Sequence, residues 1–160
     1  MSTPLVPTPS TNYSIPSILA AYGLAMIPHG YYFVKMTANA KGLASNILPR
    51  ENLKTLKGRI PDKVWTQLAR ARGAHLNAME NLPLFAVAMI AGNVAKLPTR
   101  ELNTLSLEYL GARLLYMATY MGARSEAVSY LRTGLWAWSV SIPVIALVKA
   151  GRVFNGTGLE

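Results

Sequence analysis

Ile15 to Val34 is a run of twenty residues without a formal charge. At 1.5 Å per residue, a helix of that length crosses about 30 Å, the hydrocarbon thickness of a bilayer. Few soluble folds need such a segment, so the run predicts a membrane-spanning helix over about residues 15–38. Pro16 sits in its first turn, where a missing N–H costs little. Pro28 is internal and should kink the helix. The preceding tail, residues 1–14, is rich in Pro, Ser and Thr and has no basic segment. The run therefore reads as an uncleaved span and not as a secretory signal.

Three more hydrophobic segments follow. Pro61-Asp62 opens a second helix, predicted over about 62–96. Its first half carries Arg70, Arg72, His75, Asn77, Glu80 and Asn81, whereas Leu82 to Ala95 is uncharged. Pro83 marks the change and predicts a bend there. Thr99 is expected to cap a third helix over about 100–122. A fourth helix is expected over about 126–149, ended by Gly151, with Tyr130, Trp136 and Trp138 near one end. The two short turns make neighbouring helices antiparallel. The fold class predicted is an all-α integral membrane protein: a left-handed, up-down four-helix bundle over residues 15–150, followed by a C-terminal tail, 151–160.

Charge sets the orientation. The net charge is +9, with 51% hydrophobic and only 14% charged residues. Lys35, Lys41, Arg50, Lys54, Lys57, Arg59 and Lys63 cluster around the loop between the first two spans, against Glu51 and Asp62. Basic residues concentrated between apolar spans mark a cytosolic loop, here 39–61, and not a nucleic-acid surface. The turn bearing Arg124 should share that side, which leaves both termini, with the sequons at Asn12 and Asn155, on the other. The chain has no cysteine, and its two histidines, His29 and His75, are far apart in sequence, so disulfides, thiolate catalysis by the protein and a zinc site are not expected.

Ionisable groups within spans are costly and mark function. On the second helix Arg70, Asn77, Glu80 and Asn81 fall within about 100° of one another, with Gly73 leaving room in their midst. His75 points elsewhere. Arg113, Tyr116 and Tyr120 form a stripe on the third helix, and Arg132 lies near the start of the fourth. Guanidinium forks hold carboxylates and a glutamate holds an ammonium, so this set suits a small ligand bearing both. The alternative is structural: Glu80 neutralised by Arg113 or Arg132, Asn77 bonding helix to helix, and the tyrosines packing.

The run from Arg70 to Phe85, with Asn77-x-x-Glu80, Pro83 and Phe85, resembles the second-helix signature of the MAPEG family. These are membrane-associated proteins in eicosanoid and glutathione metabolism. Ala112-Arg113-x-x-Tyr116-x-x-x-Tyr120 is similar to the family's third-helix motif, and Leu131-Arg132-Thr133 to its fourth-helix arginine region. The resemblance implies a homotrimer in the endoplasmic reticulum membrane, with three sites between neighbouring protomers. It also implies glutathione as cofactor, bound by Arg70, Arg72, His75, Asn77, Glu80, Arg113, Tyr116 and Tyr120. Arg132, assisted by Tyr120, would activate the thiol toward a lipophilic substrate from the lipid bilayer. The chain departs from the family at Gly73, where several animal members have arginine. It also has a longer segment between Tyr120 and Arg132. Two further functions stay open on the same scaffold: a glutathione-independent isomerase or cyclase, and a non-catalytic lipid-binding protein.

Overall fold

A computed structural model describes residues 11–123 and 125–156. The tail residues 1–10, Arg124 and the end of the C-terminal tail, including Thr157 of the second sequon, lie outside them. The described residues are helical, without strands. Four long helices dominate: α1 (Ser14–Asn39), α3 (Asp62–Val94), α4 (Thr99–Gly122) and α5 (Glu126–Phe154). A 3-10 turn (Pro49–Glu51) and the short α2 (Asn52–Thr55) lie between α1 and α3.

The local chemistry explains most boundaries. Lys41 and Gly42 adopt φ of 45° and 82°, which turns the chain out of α1. Ser125 caps α5 by accepting a hydrogen bond from the Val128 N–H at 3.4 Å. Two expectations are corrected. Thr99 does not cap α4; it is the first helical residue, following Pro98 at the cap position without a side-chain hydrogen bond. Gly151 does not stop α5, which continues to Phe154. A lone glycine weakens a helix by only about 1 kcal/mol, so an otherwise apolar helix runs through it.

The four helices are each long enough to cross about 30 Å of hydrocarbon. Among the described residues, only α5 is also apolar enough by composition, with a mean hydropathy of 1.4. The expectation of four such segments counted charges alone. Hydropathy also weighs the Ser, Tyr, Pro and His residues of α1 and the asparagines and Pro83 of α3, which lower both.

Burial follows a distinctive pattern. On α1 the buried residues are Ser14, Ser17, Ala21, Ala25, Pro28, Tyr32 and Met36, a stripe repeating every three or four residues. Ile15, Leu19, Ile27, Phe33 and Val34 point outward. Elsewhere Ser106, Arg113 and Ser139 are buried while Leu107, Leu114, Leu115, Val144 and Ile145 are exposed. Small and polar residues inside, with aliphatics outside, is the arrangement that suits helices packed in lipid. Midway along the helices, Phe85 and Tyr109 stack face to face, centroids 3.9 Å apart, within a cluster that includes Ala21, Ala88, Ala112 and Ala146.

At one end an amide network ties the chain before α1 to α3 and α4. Asn12 donates to Asn93 Oδ1 at 2.6 Å, and Asn93 donates to Ser14 Oγ at 2.8 Å. Asn103 Oδ1 accepts from the Tyr13 N–H at 2.7 Å. Lys149 and Glu101 pair at this same end. The Asn12 amide of the first sequon is thus engaged within the fold, since its carbonyl also accepts from Ser14. Asn93→Ala should destabilise the protein by about 1–3 kcal/mol, because it strips partners from Asn12 and Ser14 together. Thermal unfolding in detergent checks this, and an unchanged midpoint would show that the network contributes nothing.

Candidate functional site

The polar residues of the middle helices gather on the side of α3 that faces α4 and α5. Arg113, 5% exposed on α4, is the hub. Its Nη2 donates to Asn77 Oδ1 at 3.0 Å, and its Nη1 donates to Ser139 Oγ at 3.4 Å. Its guanidinium also stacks over the Tyr116 ring at 4.7 Å. All of these partners are neutral. The guanidinium thus crosslinks α3, α4 and α5 and fixes the orientation of Asn77 and Tyr116 without being neutralised by a carboxylate.

In front of this hub lies an open cavity of about 350 Å³, lined by Gly73, Leu76, Asn77, Glu80, Tyr116, Tyr120, Arg132, Thr133 and Trp136. Tyr116 and Tyr120 meet edge to face, centroids 5.6 Å apart. The Arg132 guanidinium stacks over the Tyr120 ring at 4.8 Å, and its Nη2 donates to Ser129 Oγ at 3.0 Å, one turn back on α5. A planar guanidinium pinned by a ring and a hydroxyl loses less freedom on binding an anion than a free one. Glu80 is exposed and makes no hydrogen bond or ion pair among the described residues. Neutralisation of Glu80 by Arg113 or Arg132, the structural alternative, is therefore absent from this arrangement.

Gly73 has a definite local role. A Cβ placed there would lie 2.5 Å from the Tyr120 hydroxyl oxygen. The room left by the missing side chain is thus filled by that hydroxyl, which rests against the α3 backbone.

Three of the candidate residues stand apart. His75 and Arg72 line a larger cavity, about 830 Å³, on the α1 side of α3, with His29, Tyr32, Phe33 and Arg50. His75 Nδ1 lies 2.9 Å from the Ala25 carbonyl oxygen, and its ring is 4.7 Å from that of His29. Leu76 borders both cavities. Arg70, expected beside Asn77, instead lines a hollow with Lys63, Thr66 and Gln67. The two residues share a helical angle, but seven residues separate them by about 10 Å along the axis.

Ser139, Thr133 and Trp136 were not among the sequence candidates. Ser139 carries a signal: it lies seven residues, two helical turns, beyond Arg132, hence on the same face. Trp136 reads from sequence as an interfacial anchor, and Thr133 only as part of the fourth-helix motif around Arg132.

The arrangement offers an anion-binding guanidinium, a carboxylate for an ammonium, an amide and two phenols around one open volume. A search of curated proteins and a search of solved structures each return no match. The MAPEG family model matches residues 15–152, which takes in all but the outermost residues of the helices and every cavity-lining residue described above, and the chain belongs to this membrane-associated family of glutathione and eicosanoid metabolism.

Proposed function

We propose that the protein is a homotrimeric integral membrane enzyme that binds glutathione in the α3–α4–α5 cavity and directs its thiol at a lipophilic electrophile. The observation that carries this reading is the shared cavity of Glu80, Asn77, Tyr120 and Arg132, with Arg132 stacked on Tyr120. The residues fit the ligand's chemistry. Glu80, without a protein cation, is placed to accept an ammonium, while Arg132 keeps most of its donors available for an anion.

Glutathione supplies the nucleophilic sulfur. Arg132 holds a fixed positive charge beside it and favours the ionised form. Tyr120, whose hydroxyl rests against Gly73, lies within the same cavity as a proton donor or hydrogen-bond partner. Arg113 positions: it sets Asn77 and Tyr116 from behind.

The trimer and the membrane setting belong to the same proposal. Arg72 and His75 open on the far side of α3 from Glu80 and Arg132. A neighbouring copy would bring one copy's α1–α3 face against another's α3–α5 face and so reunite the set. We place the four long helices across the bilayer as a left-handed up-down bundle, in the endoplasmic reticulum, with loop 39–61 cytosolic. The inward polar residues and outward aliphatics support that placement.

Glutathione binding to detergent-purified protein, followed by calorimetry, tests the ligand assignment. Glu80→Gln should weaken binding roughly ten- to hundred-fold, the loss of one charge-assisted hydrogen bond. Equal affinity in both proteins would remove Glu80 from the site. One observation favours a second reading. At Gly73, the position that resembles the arginine of several animal members of the family, this chain places a phenol, which gives the cavity more acid–base and less carboxylate-clamping character. Turnover of a hydrophobic substrate in glutathione-free buffer would select that isomerase or cyclase reading.

A further inference from the structure

We infer that the loop between α1 and α3 is an interfacial anchor: Ile47 and Leu48 enter the headgroup region of the bilayer beside the protein, and the surrounding cations hold anionic phospholipid there. This inference does not depend on glutathione being the ligand.

Ile47 is 89% exposed and Leu48 62% exposed. Such exposure of adjacent aliphatics is costly in water, yet the loop is built to present them. Asn52, itself buried, accepts from the Ser45 N–H at 2.7 Å and donates to the Ser45 carbonyl at 2.9 Å. Ser45 Oγ in turn accepts from the N–H groups of Ile47 and Leu48 at 3.1 and 3.3 Å. Behind this clasp, Leu56 and Ile60 are buried with Tyr32, Met36 and Leu68, and Trp65 donates to the Leu53 carbonyl at 2.8 Å. The tip is therefore held out by a packed base.

Its position follows from the larger cavity. Asn46, Pro49 and Arg50 share that cavity with His29, Tyr32 and Phe33. His29 lies ten residues before the end of α1 at Asn39, about 15 Å down the helix. The loop thus folds back along the flank of α1, toward outward-facing Phe33, and does not project away from the helix ends. Ile47 and Leu48 do not themselves line that cavity, so a copy seated over it leaves them uncovered, and on that flank they meet lipid.

Charge identifies the lipid. Residues 41–61 contain Lys41, Arg50, Lys54, Lys57 and Arg59 against Glu51 alone. All five cations are exposed, and Arg50 and Lys54 follow the tip within six residues. Exposed aliphatics in a cationic loop match an anionic headgroup layer, where each basic residue contributes about a five-fold preference.

The chain has no cysteine, so Ile47→Cys provides a single site for a fluorescent label. The labelled, full-length protein is placed in bilayer nanodiscs with brominated phosphatidylserine or brominated phosphatidylcholine as quencher. The expected result is quenching by both, with phosphatidylserine favoured. Arg50→Gln and Lys54→Gln should each reduce that preference about five-fold. Unchanged helical circular dichroism establishes that the variants fold, and a Leu48→Cys label repeats the measurement should the first perturb the tip. Equal quenching by the two lipids would overturn the inference. So would an unquenched label, whether water-soluble iodide reaches it, placing the tip in water, or fails to reach it, placing the tip under a second copy.

Discussion

Alanine at position 132 is expected to abolish the ultraviolet thiolate signal of bound glutathione and to lower turnover on the order of 10²- to 10³-fold. Arg132 is well placed for so selective a loss. Its contacts are to Ser129 on its own helix and to the face of Tyr120, so it joins no distant parts of the chain. The helices should therefore survive its removal while the cavity loses the only cation that lines it among the described residues. Arg132→Lys should recover part of the thiolate signal, because it restores charge without the planar stack. A full thiolate signal in Arg132→Ala would refute the assigned role. A loss of helical circular dichroism would instead reveal a structural one.

The second large effect is expected from the smallest change. Gly73→Ala would place a methyl group 2.5 Å from the Tyr120 hydroxyl oxygen. The α3 backbone is held by its helix, whereas the tyrosine is a side chain with a free end, so the ring moves. Its displacement disturbs the stack with Arg132 and the edge contact with Tyr116 together. Misplacement of a reacting group by about 1 Å can cost on the order of 10²-fold in rate, and a loss of that order is expected here. Global stability should change little. If Gly73→Ala turns over normally, Tyr120 is not positioned by this contact; if Gly73→Ala and Tyr120→Phe fall together, the shared cause is the phenol.

The sequence made the helices legible because their signals are local. Charge-free runs and the prolines at 61 and 98 place α1, α3 and α4 within a few residues of their observed limits. Helical angle also separated His75 from Asn77 and Glu80, and the two groups do open on opposite sides of α3. Angle says nothing about height, which is why Arg70 looked like a partner of Asn77 and is not. Contacts between helices were out of reach for the same reason. Nothing near Arg113 in sequence points to Ser139, and the filling of the Gly73 gap by Tyr120 depends on how closely α3 and α4 approach. The basic loop reads from sequence only as a solvated or headgroup-facing cytosolic connection. Its clasp at Ser45 and Asn52, and the fold-back along α1, arise from hydrogen bonds and packing that no periodicity records.

The central claim is that polar faces of neighbouring copies join to bind glutathione. Native mass spectrometry of the protein released from detergent, with glutathione present, measures this most directly. The account predicts an assembly of three 17.4 kDa chains that carries glutathione, with bound ligand reduced in Glu80→Gln. A monomer, or a trimer whose mass never includes glutathione, would contradict it.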